Sequence, residues 1–398
     1  MINIEKKALE RINKNLPICL ILISFLLGVF MRFKMRYFVS IDALGCYLPW
    51  YDEIIATGRL KGIGTQIGDY NVLYQFIMSL LSYLPMIPLY AVKMFSIVFD
   101  LLTALCVGLF IYDKKGERNL LAGSIAFAAI WLAPVVELNS SMWSQCDMVY
   151  TFFILLSLYA LRKDRYALSF ILLGISFAFK LQSVLILPFY VLIWFKEKKF
   201  SILNFLIVPL VMWITTIPGI IGGRSVFSGF ELYVYQTDEF HWAVVNYPSI
   251  YLSMVDNFRP DMYEWISPIA MTLTLTALAG WMIYVVAKKK KLSEEAFLSL
   301  ALLLTYTAVF FLPSMHERYG FIYEILAIVY MFKNKKSVIP CILLQVLSVC
   351  TYSRYLFGAD TSLILLTCLN LFVYLWYAKL FIDELDRCEE CIQEEQAA

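Results

Sequence analysis

The chain has 398 residues, 61% hydrophobic and 16% charged, whereas soluble domains run about 45–50% apolar and about 25% charged. A mean hydropathy of +0.72 excludes a lone anchor on a soluble body, a disordered chain and a disulfide scaffold, and the continuous apolar runs exclude a transmembrane barrel. The net charge of +2 says little about partners and gives no reason to expect nucleic acid, but the placement of the 33 lysines and arginines says more.

Crossing a hydrocarbon core of about 30 Å takes about 20 helical residues, or fewer where a helix is buried among others. Twelve runs qualify: Leu16–Phe33, Leu89–Tyr112, Leu120–Val136, Met148–Leu161, Ala167–Phe179, Ser183–Phe195, Ser201–Ile217, Trp265–Ala287, Ala296–Leu312, Tyr319–Phe332, Ser337–Tyr355 and Ser362–Ile382. A thirteenth run, Val72–Met86, contains Tyr74 and Gln75 and ends in prolines, so it reads as a short or re-entrant segment. With both termini cytoplasmic, 22 of the 33 cations fall on the inner side, in clusters such as DKKGER, LRKDR and KNKK. Counting Val72–Met86 as a full span would turn five of those clusters outward. The expected fold is therefore an all-α polytopic membrane protein: a cytoplasmic amino terminus over 1–15, one transmembrane domain over 16–382, and a cytoplasmic tail over 383–398.

Two outer segments are long, 34–86 and 218–264, and both are aromatic; they are expected to hold nearly all the non-helical chain. Leu16–Phe33 lacks a small-residue cleavage site and reads as a signal anchor. The nine cysteines show no paired framework, and the tail's Cys388 and Cys391, with no second pair nearby, read as incidental thiols.

Ionisable side chains at membrane depth are costly and default to function. Here they gather toward the outer side. Asp42 and Asp69 stand in the first outer segment, with Tyr70 beside Asp69. Trp143, Gln145 and Asp147 open the fourth run, where Asp147 reads equally as a capping acid and Trp143 as an interfacial anchor. Lys180 and Gln182 lie at the apex between two runs too short to be full spans. A lysine there needs an anionic partner or must snorkel to the headgroups. His316, Glu317, Arg318 and Tyr319 follow in LPSMHERY, with a local Glu317–Arg318 ion pair as the structural alternative. Lys93 and Arg354 stand at other outer helix ends. Trp242, in an aromatic stretch with Phe240, His241, Asn246 and Tyr247, is either a cover for the site or part of an interfacial belt. No metal-ligand spacing occurs and there are only two histidines, so no cofactor is expected, with a divalent metal left open.

Taken in order, these segments resemble the GT-C superfamily of integral-membrane glycosyltransferases, especially bacterial proteins similar to the second GPI mannosyltransferase (PIG-V-like). The resemblance rests on Asp42 with Pro49-Trp50, on GDYNVLY for a GDYPPLY-like element, on MWSQCD for a WGQ-D element, on FAFKLQSVLILP and on LPSMHERY. The chain departs from the pattern at Asn71-Val72, where a proline pair is usual, and at Ser144, where glycine is usual.

The resemblance implies a GT-C fold of about 12 transmembrane helices with juxtamembrane helices on the outer face. It implies transfer of a sugar, such as mannose, from a polyprenyl-phosphate donor on the non-cytoplasmic face. It also puts Asp42 in the place of the catalytic acid. Because phosphate is already a good leaving group, one carboxylate acting as general base on the acceptor hydroxyl suffices for inversion. Lys180, His316 and Arg318, with Lys93 and Arg354, would hold the donor phosphate. Asp69, Tyr70, Trp143, Gln145, Asp147, Gln182, Glu317, Tyr319 and Trp242 would line the site. The expected partners are the donor lipid, a glycan, glycolipid or protein acceptor and membrane lipid, in a bacterial cytoplasmic membrane with the site facing outward. A polyprenyl-linked glycan flippase or transporter is the alternative, and would line a path on both sides of the midplane. A polymerase or ligase of surface glycans shares the lipid-phosphate chemistry.

Overall fold

A computed structural model describes residues 3–114, 117–237, 241–253, 257–288 and 291–397. Phe240 and the side chains of Cys388 and Cys391 lie outside the described residues. The chain is a helical membrane protein. The first half contains α1 (Asn3–Met35), α2 (Leu48–Ala56), α3 (Val72–Leu81), α4 (Pro88–Tyr112), α5 (Leu120–Trp131), α6 (Pro134–Glu137), α7 (Asp147–Arg162) and α8 (Tyr166–Phe179). The second contains α9 (Leu187–Glu197), α10 (Ile207–Ile221), α11 (Ser228–Thr237), α12 (Tyr263–Ala287), α13 (Glu294–Phe311), α14 (Phe321–Met331), α15 (Val338–Phe357) and α16 (Leu363–Ala397).

The boundaries follow local chemistry. Pro88 and Pro134 sit at the first turns of α4 and α6, where a missing N–H costs nothing. Pro134 also stops α5, and the chain bends by 44° there. Ser293 caps α13 by accepting from the Ala296 N–H, with Glu294 and Glu295 complementing the first turn.

Each of the twelve runs is helical, but among the described residues seven helices are long and apolar enough to cross a membrane, or eight if the bent pair α5–α6 is one span. Val72–Leu81 is a ten-residue helix, too short to span. Burial separates the long helices: 78% of the apolar window of α13 is buried within the protein, against 22% for α1, α10 and α12. Leu22, Ile23, Leu26 and Phe30 of α1 are exposed, which in water would forfeit about 1.5–3 kcal/mol apiece. In hydrocarbon that penalty vanishes, so α1 is a lipid-facing helix.

Phe25 of α1 stacks on Trp131 of α5 at 5.9 Å, and an ionic cluster adds to that contact. Arg32 reaches Asp100 of α4 and Glu137 of α6, each at 3.1 Å, and its guanidinium lies 3.6 Å from the Trp131 ring centroid. Ser140 also donates to Asp100, at 2.6 Å.

The long outer segments, expected to hold most of the non-helical chain, also carry short helices of the kind expected there. Both contain helix: α2 and α3 in the first, α11 in the second. Helix satisfies backbone groups internally, which matters for chain that touches lipid. The two segments also lock together. Arg224 donates to the Ile63 and Thr65 carbonyls at 2.7 Å, Asn71 donates to the Gly229 carbonyl at 3.1 Å, and Gly64 lies so close to Gly222 that a Cβ there would meet its carbonyl oxygen at 1.8 Å.

Two small ladders complete the fold. At the basic end β1 (Asp113–Lys114) pairs antiparallel with β2 (Glu117–Arg118). At the other end β3 (Val244–Val245) pairs parallel with β4 (Met315–His316), which ties the aromatic stretch to the HERY segment. The cationic loops do share one end, where Lys199 meets Asp164 at 3.4 Å, Arg162 meets the Leu292 carbonyl at 3.2 Å and Lys333 meets Glu294 at 3.3 Å.

Candidate active site

At the end opposite these basic loops, the carboxyl ends of α1, α8 and α15 and the amino ends of α7 and α14 converge. Asp42 opens a five-residue π-turn, Ala43–Tyr47, that leads into α2. Ser40 builds this turn: its hydroxyl accepts from the Ala43 N–H at 3.0 Å and donates to the Trp143 carbonyl at 2.8 Å. The turn is thereby clamped to the Trp143–Asp147 segment.

Ser144 has φ = +68° in the left-handed region. That reversal lets residues on either side of it address one carboxylate. Trp143 Nε1 donates to Asp42 Oδ2 at 2.9 Å and Gln145 Nε2 donates to the same oxygen at 2.5 Å. The Tyr355 hydroxyl donates to the other oxygen, and its ring stacks on Trp143 at 4.7 Å. Asp42 keeps 23% of its side chain exposed, so a hydroxyl brought to the surface can reach it.

Behind Asp42 lies a second carboxylate. Asp147, at the first position of α7, pairs with Lys180 and accepts from Asn139 at 2.7 Å. Lys180 ends α8 in an extended conformation and also donates to Gln145 Oε1 at 3.3 Å. That oxygen further accepts from the Tyr47 hydroxyl at 2.8 Å and the Tyr70 hydroxyl at 3.2 Å. Gln145 thus couples the two acids, its NH2 on Asp42 and its carbonyl in the Lys180 network.

Arg318 lies between the acids, 3.9 Å from Asp42 Oδ2 and 3.9 Å from Asp147 Oδ2. Burial opposes its charge, but the carboxylates of Asp42 and Asp147 outweigh that and hold the guanidinium protonated. Glu317 makes no ion pair with Arg318 but meets Asn246, and burial pushes its carboxyl up to about 7 against the pull of the Arg318 charge. Burial, reinforced by Arg318 and Lys180, pushes His316 down to about 3. Both effects favour the neutral imidazole. The Tyr319 hydroxyl meets Gln182, and its ring lies 4.9 Å from His316.

Other residues expected here lie elsewhere. Lys93 donates to the carbonyls of Met35, Arg36 and Phe38 at 3.1, 3.3 and 2.7 Å, so all three of its protons cap the end of α1. Arg354 donates to the Thr361 carbonyl beyond α15. The Asp69 side chain is exposed, and its carbonyl accepts from Gln236. Trp242 packs edge-on against Phe258 at 5.8 Å, and Tyr247 is core, its hydroxyl 2.8 Å from that of Tyr323. Asn71 caps α3 by accepting from the Val72 N–H at 2.8 Å, which a proline in its place could not do. Among the described residues no group of three or more His, Cys, Asp or Glu could hold a metal ion.

Sequence reasoning passed over Tyr355, Tyr47, Asn139 and Ser40. The tyrosines carry no signal among 26 in the chain. Ser40 does, because a serine three residues before the turn's first committed N–H is a capping pattern. No family model matches the chain, and a search of curated proteins finds no match.

Proposed function

We propose that the protein is an inverting glycosyltransferase that takes a single hexose from a polyprenyl-phosphate donor, with Asp42 as general base. The observation that carries this reading is a partly exposed carboxylate fixed by three side-chain donors, with a guanidinium 3.9 Å away at one end of a membrane bundle. Ile41 and Leu44, flanking Asp42, are 69% and 68% exposed, and apolar surface of that kind beside a polar site suits a lipid-borne substrate.

The steps balance in charge. The acceptor oxygen attacks the anomeric carbon from the face opposite the phosphate, the C–O bond to phosphate breaks, and the acceptor proton passes to Asp42. Two carboxylates, Asp42 and Asp147, face two cations, Arg318 and Lys180. Once Asp42 is protonated, Arg318 has lost one counter-charge, at the moment the departing phosphate gains charge. A cation released toward a developing anion favours the transition state over the ground state. Lys180, buried and paired, acts by neutralising Asp147, while Arg318 meets the phosphate.

On this reading the seven long helices and five shorter or broken ones form a GT-C bundle of twelve segments. The basic loops face the cytoplasm of a bacterial cell and the site faces outward. The acceptor is a glycan, glycolipid or protein outside the cytoplasm.

The test is transfer by the protein in lipid nanodiscs, supplied with radiolabelled polyprenyl-phosphate sugars and a surface-glycan acceptor. Asp42→Asn should lower transfer by about 10²–10⁴-fold without loss of folding. Normal transfer by Asp42→Asn would refute the assignment. Donor translocation that survives the substitution, with no transfer by the unmodified protein, would point to a flippase.

A further inference from the structure

The basic end of the bundle holds a cavity of about 740 Å³, the size of a small-molecule site, between the ends of α4, α7 and α14, the start of α13 and the β1–β2 hairpin. We propose that it binds an anionic phospholipid of the adjoining leaflet, with the headgroup on its cationic rim and an acyl chain along its apolar wall. The proposal rests on no reading of the chemistry at the other end.

Three features point to a lipid. The wall is apolar, built on Phe110 stacked against Tyr159 at 4.4 Å, with Phe297 also lining it. The cavity also opens sideways: Leu109 and Tyr159, both lining it, are 62% and 45% exposed. On membrane-embedded helices an exposed leucine faces hydrocarbon, so a chain can enter from the bilayer. Finally, the rim carries Arg118, Arg162, Lys163 and Lys333 against Asp113 and Glu294, an excess of two positive charges.

Those cations are not equally committed. Arg162 is engaged by the Leu292 carbonyl at 3.2 Å and by Glu197 at 3.9 Å, and Lys333 by Glu294 at 3.3 Å. Arg118 and Lys163 pair with no carboxylate among the described residues; the Lys163 ammonium lies 5.6 Å from the Tyr159 ring centroid. A phosphate set between Arg118 and Lys163 would find two free cations, and its glycerol and upper chain would lie on the Phe110–Tyr159 pair. A soluble anion would use the rim and leave the apolar wall without purpose. The lipid would also bridge α4 and α7 to α13 and α14, and so join the two halves of the chain.

The experiment uses the full chain in detergent, reading bound lipid by native mass spectrometry and melting temperature by thermal unfolding. It is titrated separately with phosphatidylglycerol, with phosphatidylcholine of the same chains and with inorganic phosphate. Phosphatidylglycerol should be retained and raise the melting temperature, and phosphatidylcholine should not. The double variant Arg118→Gln with Lys163→Gln should weaken phosphatidylglycerol about 10- to 30-fold, at about 1 kcal/mol per basic residue. Leu109→Trp narrows the sideways mouth without changing charge and should weaken it too, which keeps a test in hand if the double variant fails to fold. Equal effects of the two lipids on the unmodified protein, or unchanged retention in the variants, would overturn the proposal. A shift from inorganic phosphate as large as that from phosphatidylglycerol would assign the rim to a soluble anion and overturn it as well.

Discussion

Arg32 with Asp100 and Glu137, and Arg318 with Asp42 and Asp147, are built alike: one guanidinium between two carboxylates. In the first cluster both contacts are 3.1 Å, all three side chains are buried, and Ser140 and the Trp131 face close it. In the second both contacts are 3.9 Å and Asp42 is partly exposed. Short closed contacts spend the charges on each other, and the cluster can only join helices. Longer contacts with residual exposure leave donors uncommitted, which is what a site for an anionic substrate requires. A guanidinium between two carboxylates is thus closed off or left open according to how tightly the surrounding helices pack on it.

Substitutions can break that comparison. The largest effect should come from Asp42→Asn, which lowers transfer by about 10²–10⁴-fold and leaves the melting temperature near that of the unmodified protein. Arg32→Met should do the reverse. It leaves two buried carboxylates uncompensated and should cost about 3–5 kcal/mol of stability, read by denaturant or thermal unfolding in detergent. If the first variant failed through unfolding and the second through chemistry, the division between the clusters would be mistaken.

A sharper probe is Glu317→Gln. Burial raises the Glu317 carboxyl to about 7, so the folded state prefers it protonated. The unfolded chain gives up that proton near pH 4.5, so stability is lost as pH rises between about 4.5 and 7, by on the order of 3 kcal/mol. The glutamine variant should flatten the melting-temperature profile over that window, and an unchanged profile would show that Glu317 is not the titrating group. The smallest effect is expected at Ser144, which is left-handed and has a buried hydroxyl with no partner among the described residues. Ser144→Gly should stabilise by about 1 kcal/mol with transfer retained, measurable as a small rise in melting temperature.

Much of the architecture was legible because a bilayer demands it. Hydropathy located the long apolar runs but not α2 or α11, and the lysine clusters sorted one end from the other, since both are set by the solvent around each stretch of chain. Depth was not legible. Lys93 and Lys180 look alike in sequence, each a lysine near a helix end, yet one caps α1 while the other pairs with Asp147. Arg32 drew no notice because it stands at the end of an apolar run, where a basic residue is ordinary.

Sequence by itself determined that this is an all-helical membrane chain with a basic end, a polar end and acidic candidates gathered toward the latter. Those follow from composition and periodicity, which act residue by residue. Tertiary structure alone decided that Asp42 is met by Tyr355, more than 300 positions away, that Gln145 couples two acids, and that burial beside Arg318 and Lys180 pushes His316 toward its neutral form. Hydrogen-bond partners and burial depend on which helix ends meet, and helix packing sets that through contacts no local stretch of sequence contains.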